Sequence, residues 1–142
     1  MLTKIRPGTS RDVESLIALD PVAVINPKRT EFIQHAIRAD TCYVAEVDQQ
    51  IVGYSVLTHN FYDNGMVELL VVRDQDRRAG VGTALLNHMV LKCETPKLFT
   101  STNQSNKPMQ VLLAANGFVK TGFIDNLDDG DPELIYFKRI AD

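Results

Sequence analysis

Two stretches of this 142-residue chain carry residues whose type and spacing can do chemistry. Gly80-Val81-Gly82, with Arg77, Arg78 and Ala79 before it and Thr83 after it, lies between an apolar run (residues 66–72) and a segment of helical spacing, Leu85, Leu86, Met89, Val90 and Cys93. A strand, a glycine loop and a helix N-terminus in that order make an anion site. First-turn N–H groups have no intrahelical partners, and the helix dipole favours negative charge there. Glycine lets the backbone come close to a phosphate, and Arg77 and Arg78 add positive charge beside it. The pattern suits a pyrophosphate. The second stretch is the run itself, which reads as a strand buried on both faces with one ionisable residue, Glu68. An unpaired buried carboxylate is costly, so Glu68 should face a cleft, pair with a cation or be neutral. It can take a proton, directly or through water, from an ammonium group that must lose one before its lone pair attacks. A structural ion pair is the plainer alternative.

Other phosphate-binding patterns do not fit. A dinucleotide fingerprint wants a third glycine, where Leu85 stands, and an acid about 20 positions on. A P-loop needs Gly-Lys-Ser/Thr, which does not occur. A calcium loop would need its acids at a spacing that residues 125–133 lack, although that segment holds Asp125, Asp128, Asp129, Asp131 and Glu133. The segment reads as a solvated turn or as a negative field for a cationic amine. No metal site is expected.

The elements that must position these residues follow from periodicity. Residues 2–6 form a short strand, and Thr9 or Ser10 caps a helix carrying Val13, Leu16, Ile17 and Leu19 that Pro21 ends. Asn26-Pro27 starts a second helix with Phe32, Ile33, Ala36 and Ile37 on its apolar stripe. Val22-Ala23-Val24-Ile25 between them is packing or the apolar wall of a cleft. Residues 41–47 and 51–58 make a hairpin, and residues 62–65 turn into the 66–72 strand. After the glycine-loop helix come a strand (97–102), a short helix (109–116) stopped by Gly117, and two strands around the acidic turn. The order βααβββαβαββ gives an α+β fold, a mixed, mostly antiparallel central sheet flanked by helices, in one domain over residues 1–142.

Arg77-x-x-Gly80-x-Gly82 in this strand–loop–helix setting resembles the R/Q-x-x-G-x-G/A signature of the GNAT superfamily of acyl-CoA-dependent N-acyltransferases, and the order of elements resembles that fold throughout. Ile5-Arg6-Pro7, Val44-Ala45-Glu46 with Ile51-Val52-Gly53, and Asn116-Gly117-Phe118 stand where members carry similar residues. The resemblance implies acetyl-CoA as co-substrate and an amine acceptor, either a small molecule or a peptide or protein amine. It implies that the backbone of Leu70, Val71 and Val72 pairs with the pantetheine arm as an added strand would. The CoA pyrophosphate is then expected on the amides of Arg78, Ala79, Gly80, Val81, Gly82 and Thr83, and Asn106 is expected to touch the cofactor unless it only starts a helix. Many members carry a tyrosine seven residues after that asparagine as general acid. Here the position is Leu113, which leaves the acid unassigned. The activity implied is acetyl transfer to a primary amine, a small cationic one favoured, by direct attack. A non-catalytic acyl-CoA sensor is the competing reading.

Of the remaining polar residues, Tyr62 and Tyr136 read as half-buried tyrosines or as donors to sulfur, and His59 as a surface histidine or a base. His35 and His88 read as solvent-side. Hydrophobic residues make up 44% and charged residues 23%, ordinary for a globular protein. A net charge of −3 gives no reason to expect nucleic acid. No apolar run approaches the roughly 18 residues of a membrane span and the N-terminus has no signal-peptide h-region, so a cytoplasmic protein with no membrane partner is expected. Cys42 and Cys93 read as buried free thiols. The exposed edges of a mixed sheet suit a homodimer.

Overall fold

The structure, a computed structural model, describes residues 2–77 and 79–142. Its strands are β1 (Lys4–Pro7), β2 (Cys42–Val47), β3 (Gln50–Phe61), β4 (Asn64–Val72), β5 (Lys97–Asn103), β6 (Val119–Ile124) and β7 (Glu133–Arg139). Its α-helices are α1 (Val13–Leu19), α2 (Pro21–Ile25), α3 (Pro27–Arg38), α4 (Val81–Lys92) and α5 (Lys107–Ala115). The strands form a seven-stranded sheet in the order β1-β2-β3-β4-β5-β7-β6. β4 and β5 pair in parallel; β1/β2, β2/β3, β5/β7 and β6/β7 are antiparallel. Two-residue turns close the β2–β3 and β3–β4 hairpins. Asp48, Gln49, Tyr62 and Asp63 all have positive φ there, as a turn matched to strand twist requires.

By packing, the chain divides into two compact units, Met1–Leu57 with Leu69–His88, and Thr58–Glu68 with Met89–Asp142. In the first, Leu16 of α1 and Ile33, Ala36 and Ile37 of α3 pack against Cys42, Val44, Tyr54 and Val56 of the sheet, with Leu69 and Val71 of β4 added to the same cluster. Ala45 and Val52 pack with Val81 and Leu85 of α4, and Leu70 and Val72 of β4 join them. In the second unit β5 is registered with β7 along its whole length. Leu98, Thr100 and Thr102 are buried there, while the residues between them are half-buried.

The 22–25 stretch, to which the sequence assigns no element, is most of the short helix α2, which makes the observed order βαααβββαβαββ. Asp20 is the reason. Its carboxylate accepts the Val22 N–H at 3.0 Å as N-cap, Pro21 occupies the first helical position, and Ala23 is buried. The same carboxylate accepts from Arg29 Nη1 at 2.8 Å and from the Tyr54 hydroxyl, although Asp20 is 1% and Tyr54 0% exposed. Three hydrogen bonds, one of them from an arginine, offset the cost of burying this carboxylate. At the other end, Arg6 holds Asp12 with two bonds of 2.9 Å and Glu46 with one of 2.5 Å, and Asp12 in turn accepts the Thr9 N–H at 2.7 Å. The Arg6 guanidinium, with help from Thr9, holds the Asp12 carboxyl below its usual 3.8 in spite of burial.

Asp20→Ala leaves the Tyr54 hydroxyl and Arg29 without their acceptor, and we expect a loss of about 3 kcal/mol, or roughly 10 °C in Tm by thermal melt. Tyr54→Phe, which keeps the ion pair, should cost about 1 kcal/mol. Asp12 has a folded pKa below the unfolded one, so its contribution is present above pH about 4 and is lost as pH falls through the folded value. Melts from pH 6 down to about pH 2 should therefore show a stability loss that Asp12→Asn flattens, and equal slopes in the two proteins would refute the linkage.

Candidate active site

β4 differs from the doubly buried strand that its composition implies. Only Gly65 and Val67 are buried; Leu69, Leu70, Val71 and Val72 are half-buried and Glu68 is exposed. Two features explain this. The parallel register with β5 runs over Gly65–Leu98, Met66–Phe99 and Val67–Thr100, and among the described residues it goes no further. The alternation of side chains also slips. A Cβ on Gly65 would point at Cys93 Sγ, just past the end of α4, and Val67 follows on that face. Yet Leu70 and Val72 pack with Val81 and Leu85 of α4, while Leu69 and Val71 pack with the α1–α3 cluster. Three residues from Val67 to Leu70, where two or four would keep the phase, place an extra residue at Glu68–Leu69, as a bulge does.

Beyond the slip β4 lies very close to β3. A Cβ on Gly53 would sit 2.7 Å from the Val71 carbonyl oxygen and 3.3 Å from Val81 Cγ1, and the Arg73 N–H donates to Val52 O at 2.7 Å. Gly53 is thus a supporting residue of this strand that the sequence pattern offers only as a glycine inside a β run, the usual mark of close backbone approach.

The loop after β4 is tied down by its own charges. Arg73 Nε lies 2.5 Å from Asp76 Oδ2, and Arg77 Nη2 lies 3.1 Å from Asp74 Oδ1 with both side chains exposed. Arg77 is therefore present at the loop but shares its charge with Asp74. Arg78 lies outside the described residues. Ala79 is exposed. Gly80 has φ +85, a conformation side chains resist, and open space where a Cβ would be. Ala84 N–H donates to Gly80 O at 3.0 Å, so the amides of Val81 and Gly82 belong to the helix's first turn and have no carbonyl four residues back within it. Val81 is 1% exposed, and Gly82 and Thr83 are half-buried. The buried Val81 anchors this helix end against Ala45 and Val52.

The other expected site residues fall in the second unit. Asn106 caps α5: its Oδ1 accepts the Met109 N–H at 3.2 Å. Leu113 is fully buried in that helix, with its carbonyl accepting the Phe118 N–H at 3.0 Å. Glu68 is exposed and has no ion-pair partner among the described residues, so the cost of burying an unpaired carboxylate does not arise.

Several expectations for polar residues need correcting. His88 is half-buried with its ring centroid 5.0 Å from that of Tyr43, because α4 presents it to the sheet rather than to solvent. His59 Nε2 accepts the Glu94 N–H at 3.0 Å, which occupies the lone pair a base would need. Tyr62 is 85% and Tyr136 8% exposed, one at a turn tip and the other on the buried face of β7. Cys42 is buried, and burial pushes its thiol up to about 12, which makes it inert as a nucleophile. Cys93 is half-buried instead of buried. In the acidic turn Asp131 accepts from Ser105 N at 2.9 Å and Ser105 Oγ at 2.6 Å, and Asp128 accepts from Asn103 Nδ2 at 2.9 Å. Among the described residues there is no group of three or more His, Cys, Asp or Glu placed to hold a metal ion, and no helix is long and apolar enough to cross a membrane.

Comparison with known proteins gives these features a common setting. A family model described as the acetyltransferase (GNAT) domain matches residues 38–120. An uncharacterised N-acetyltransferase of Methanocaldococcus jannaschii is 33% identical over 147 residues, with 95% of this chain and 90% of the relative covered. A GNAT-family acetyltransferase from Bacillus cereus, of known crystal structure, is 34% identical, with a TM-score of 0.91 and 98% of each chain covered. The ribosomal-protein-S18-alanine N-acetyltransferase of Escherichia coli is 15% identical with a TM-score of 0.81 over 99% of this chain and 96% of that one, a likeness of fold alone. The family model takes in more than half of the chain and the archaeal relative aligns along nearly all of it, so this protein belongs to the GNAT superfamily and is an N-acyltransferase.

Proposed function

We propose that the protein transfers the acetyl group of acetyl-CoA to a primary amine by direct attack, with no acyl-enzyme, and that its whole length works as one catalytic domain. The family match supports the second point by taking in parts of both compact units. The observation that carries the first is β4 itself. Among the described residues its register with β5 stops at Val67 while the strand continues to Val72, so the main-chain groups of Leu70, Val71 and Val72 that point away from β3 are available to an added strand such as a pantetheine arm. Six residues beyond Val72 the chain enters the Arg78–Thr83 loop, where Gly80 and the first-turn amides of α4 suit a pyrophosphate. Arg77 can exchange Asp74 for a phosphate, since that pair is exposed and weak. The residues therefore fit the cofactor. Asn106 is a lesser part, with its oxygen already committed to the α5 cap and its Nδ2 left to donate.

Bound acetyl-CoA would supply a thioester whose carbonyl carbon accepts the amine as the C–S bond breaks, the thiolate leaving and the attacking nitrogen losing its second proton to solvent. The chain contributes position and proton transfer. A main-chain N–H of β4 near the bulge polarises the carbonyl oxygen, and Glu68 Oε takes the ammonium proton, directly or through a water, before attack. With Leu113 buried and apolar, no side chain is assigned to protonate the departing sulfur, which takes its proton from solvent. Placement of the two reactants supplies much of the acceleration. A cytoplasmic location and a homodimer fit this reading and are not required by it.

The alternative, an acyl-CoA sensor without turnover, is favoured only by the missing acid at Leu113. Isothermal titration with acetyl-CoA should give micromolar binding that Gly82→Trp abolishes, and amines should then release free thiol. Binding without thiol release from any amine would favour the sensor, and no binding by the native protein would end both readings. Glu68→Gln should lower kcat/KM about 100-fold near neutral pH while leaving acetyl-CoA affinity unchanged; an unaltered pH–rate profile would remove Glu68 as the base.

A further inference from the structure

Among the described residues, the second unit's own crossover helix lies on one face of its sheet. β5, α5 and β6 form a crossover, and Leu98, Thr100 and Thr102, at most 6% exposed, mark the face that it covers. The residues between them point the opposite way. On that side Phe99 is registered with Met66 of β4 and with Phe137 of β7. The Phe99 and Phe137 rings are stacked at 5.8 Å with planes 28° apart, and the Phe61 ring lies 5.2 Å from Phe99. All four side chains are half-buried and so still show part of their surface to water. Glu68 is two residues beyond Met66 on the same face, about 7 Å along the strand at ordinary rise, exposed and without an ion-pair partner among the described residues.

We propose that this aromatic face with Glu68 at its margin is the acceptor subsite, and that the acceptor is a primary amine on a short arm from a flat apolar group, an arylalkylamine. The inference rests on the acetyltransferase reading. The rings offer a surface against which an aromatic body stacks, and about 7 Å is the span from such a ring to an ammonium and its carboxylate partner. A polyamine or aminoglycoside would leave the rings wet and asks for several carboxylates, whereas this face offers one. In the acidic turn, Asp128 and Asp131 are already bonded to Asn103 and Ser105.

The test compares 2-phenylethylamine with 1,4-diaminobutane on the full chain, by ligand-detected NMR without cofactor and by thiol release with acetyl-CoA. Phenylethylamine should bind and be acetylated with kcat/KM about tenfold higher or more. Phe99→Ala should raise its KM about tenfold, while acetyl-CoA affinity by titration and turnover of diaminobutane stay as they were. Phe99→Leu, which keeps the packing, should show a smaller loss in the same direction. Preference for diaminobutane, or Phe99 variants that change both amines equally, overturns the proposal and leaves the acetyltransferase reading intact. So does a dimer that Phe99→Ala dissolves with no amine bound, which would assign the face to a second copy. Absence of acetyl-CoA binding in the native protein overturns both.

Discussion

A β-strand that loses its neighbour part-way along must give its main-chain groups to something, and in this protein β4 is that strand. It is bonded to β5 through Val67 and not among the described residues beyond it, yet it keeps strand geometry to Val72. What holds the open part straight is packing on both faces. Leu69 and Val71 sit in the α1–α3 cluster, and Leu70 and Val72 sit in the α4 cluster. The slip in alternation at Glu68–Leu69 makes both sets face correctly, and Gly53 removes the Cβ that would strike Val71 O at 2.7 Å. The same α4 cluster fixes Val81, so the strand and the helix N-terminus are held by one set of apolar contacts. Rigid elements of this kind are suited to holding two reactants in place, which is where much of the rate of a bimolecular transfer originates.

Charge plays a smaller and more local part than the sequence implies. Among the described residues, Arg73 and Arg77 are answered by Asp76 and Asp74, so the proposed pyrophosphate site draws on main-chain amides and the dipole of α4. Glu68 is exposed and has no ion-pair partner among the described residues. By contrast, the strongly bonded carboxylates, Asp12 and Asp20, are structural. Each satisfies several donors at once, and Asp20 builds α2 between two other helices.

Much of this was legible in the amino-acid sequence. Proline and asparagine signals mark the start of α3, and glycine marks the loop before α4 and the stop after α5; each acts through its own backbone and needs no distant partner. The Arg77-x-x-Gly80-x-Gly82 pattern between strand and helix, together with the order of elements, pointed to the superfamily, because a glycine loop at a helix start is local to one turn. Position along the chain also determined that Leu113 could not act as a general acid.

What tertiary structure alone decided depends on partners far apart in sequence. An apolar run cannot reveal where its hydrogen-bonded neighbour stops, so β4 looks buried throughout although only Gly65 and Val67 are. Asp20 reads as a residue before a proline until Arg29 and Tyr54 arrive to bond it and make α2 a helix. His59 and His88 look alike in sequence, but a Glu94 amide occupies one and a Tyr43 ring covers the other. The row of Phe61, Phe99 and Phe137 is assembled from three strands, and no spacing in one dimension encodes a surface that only strand register brings together.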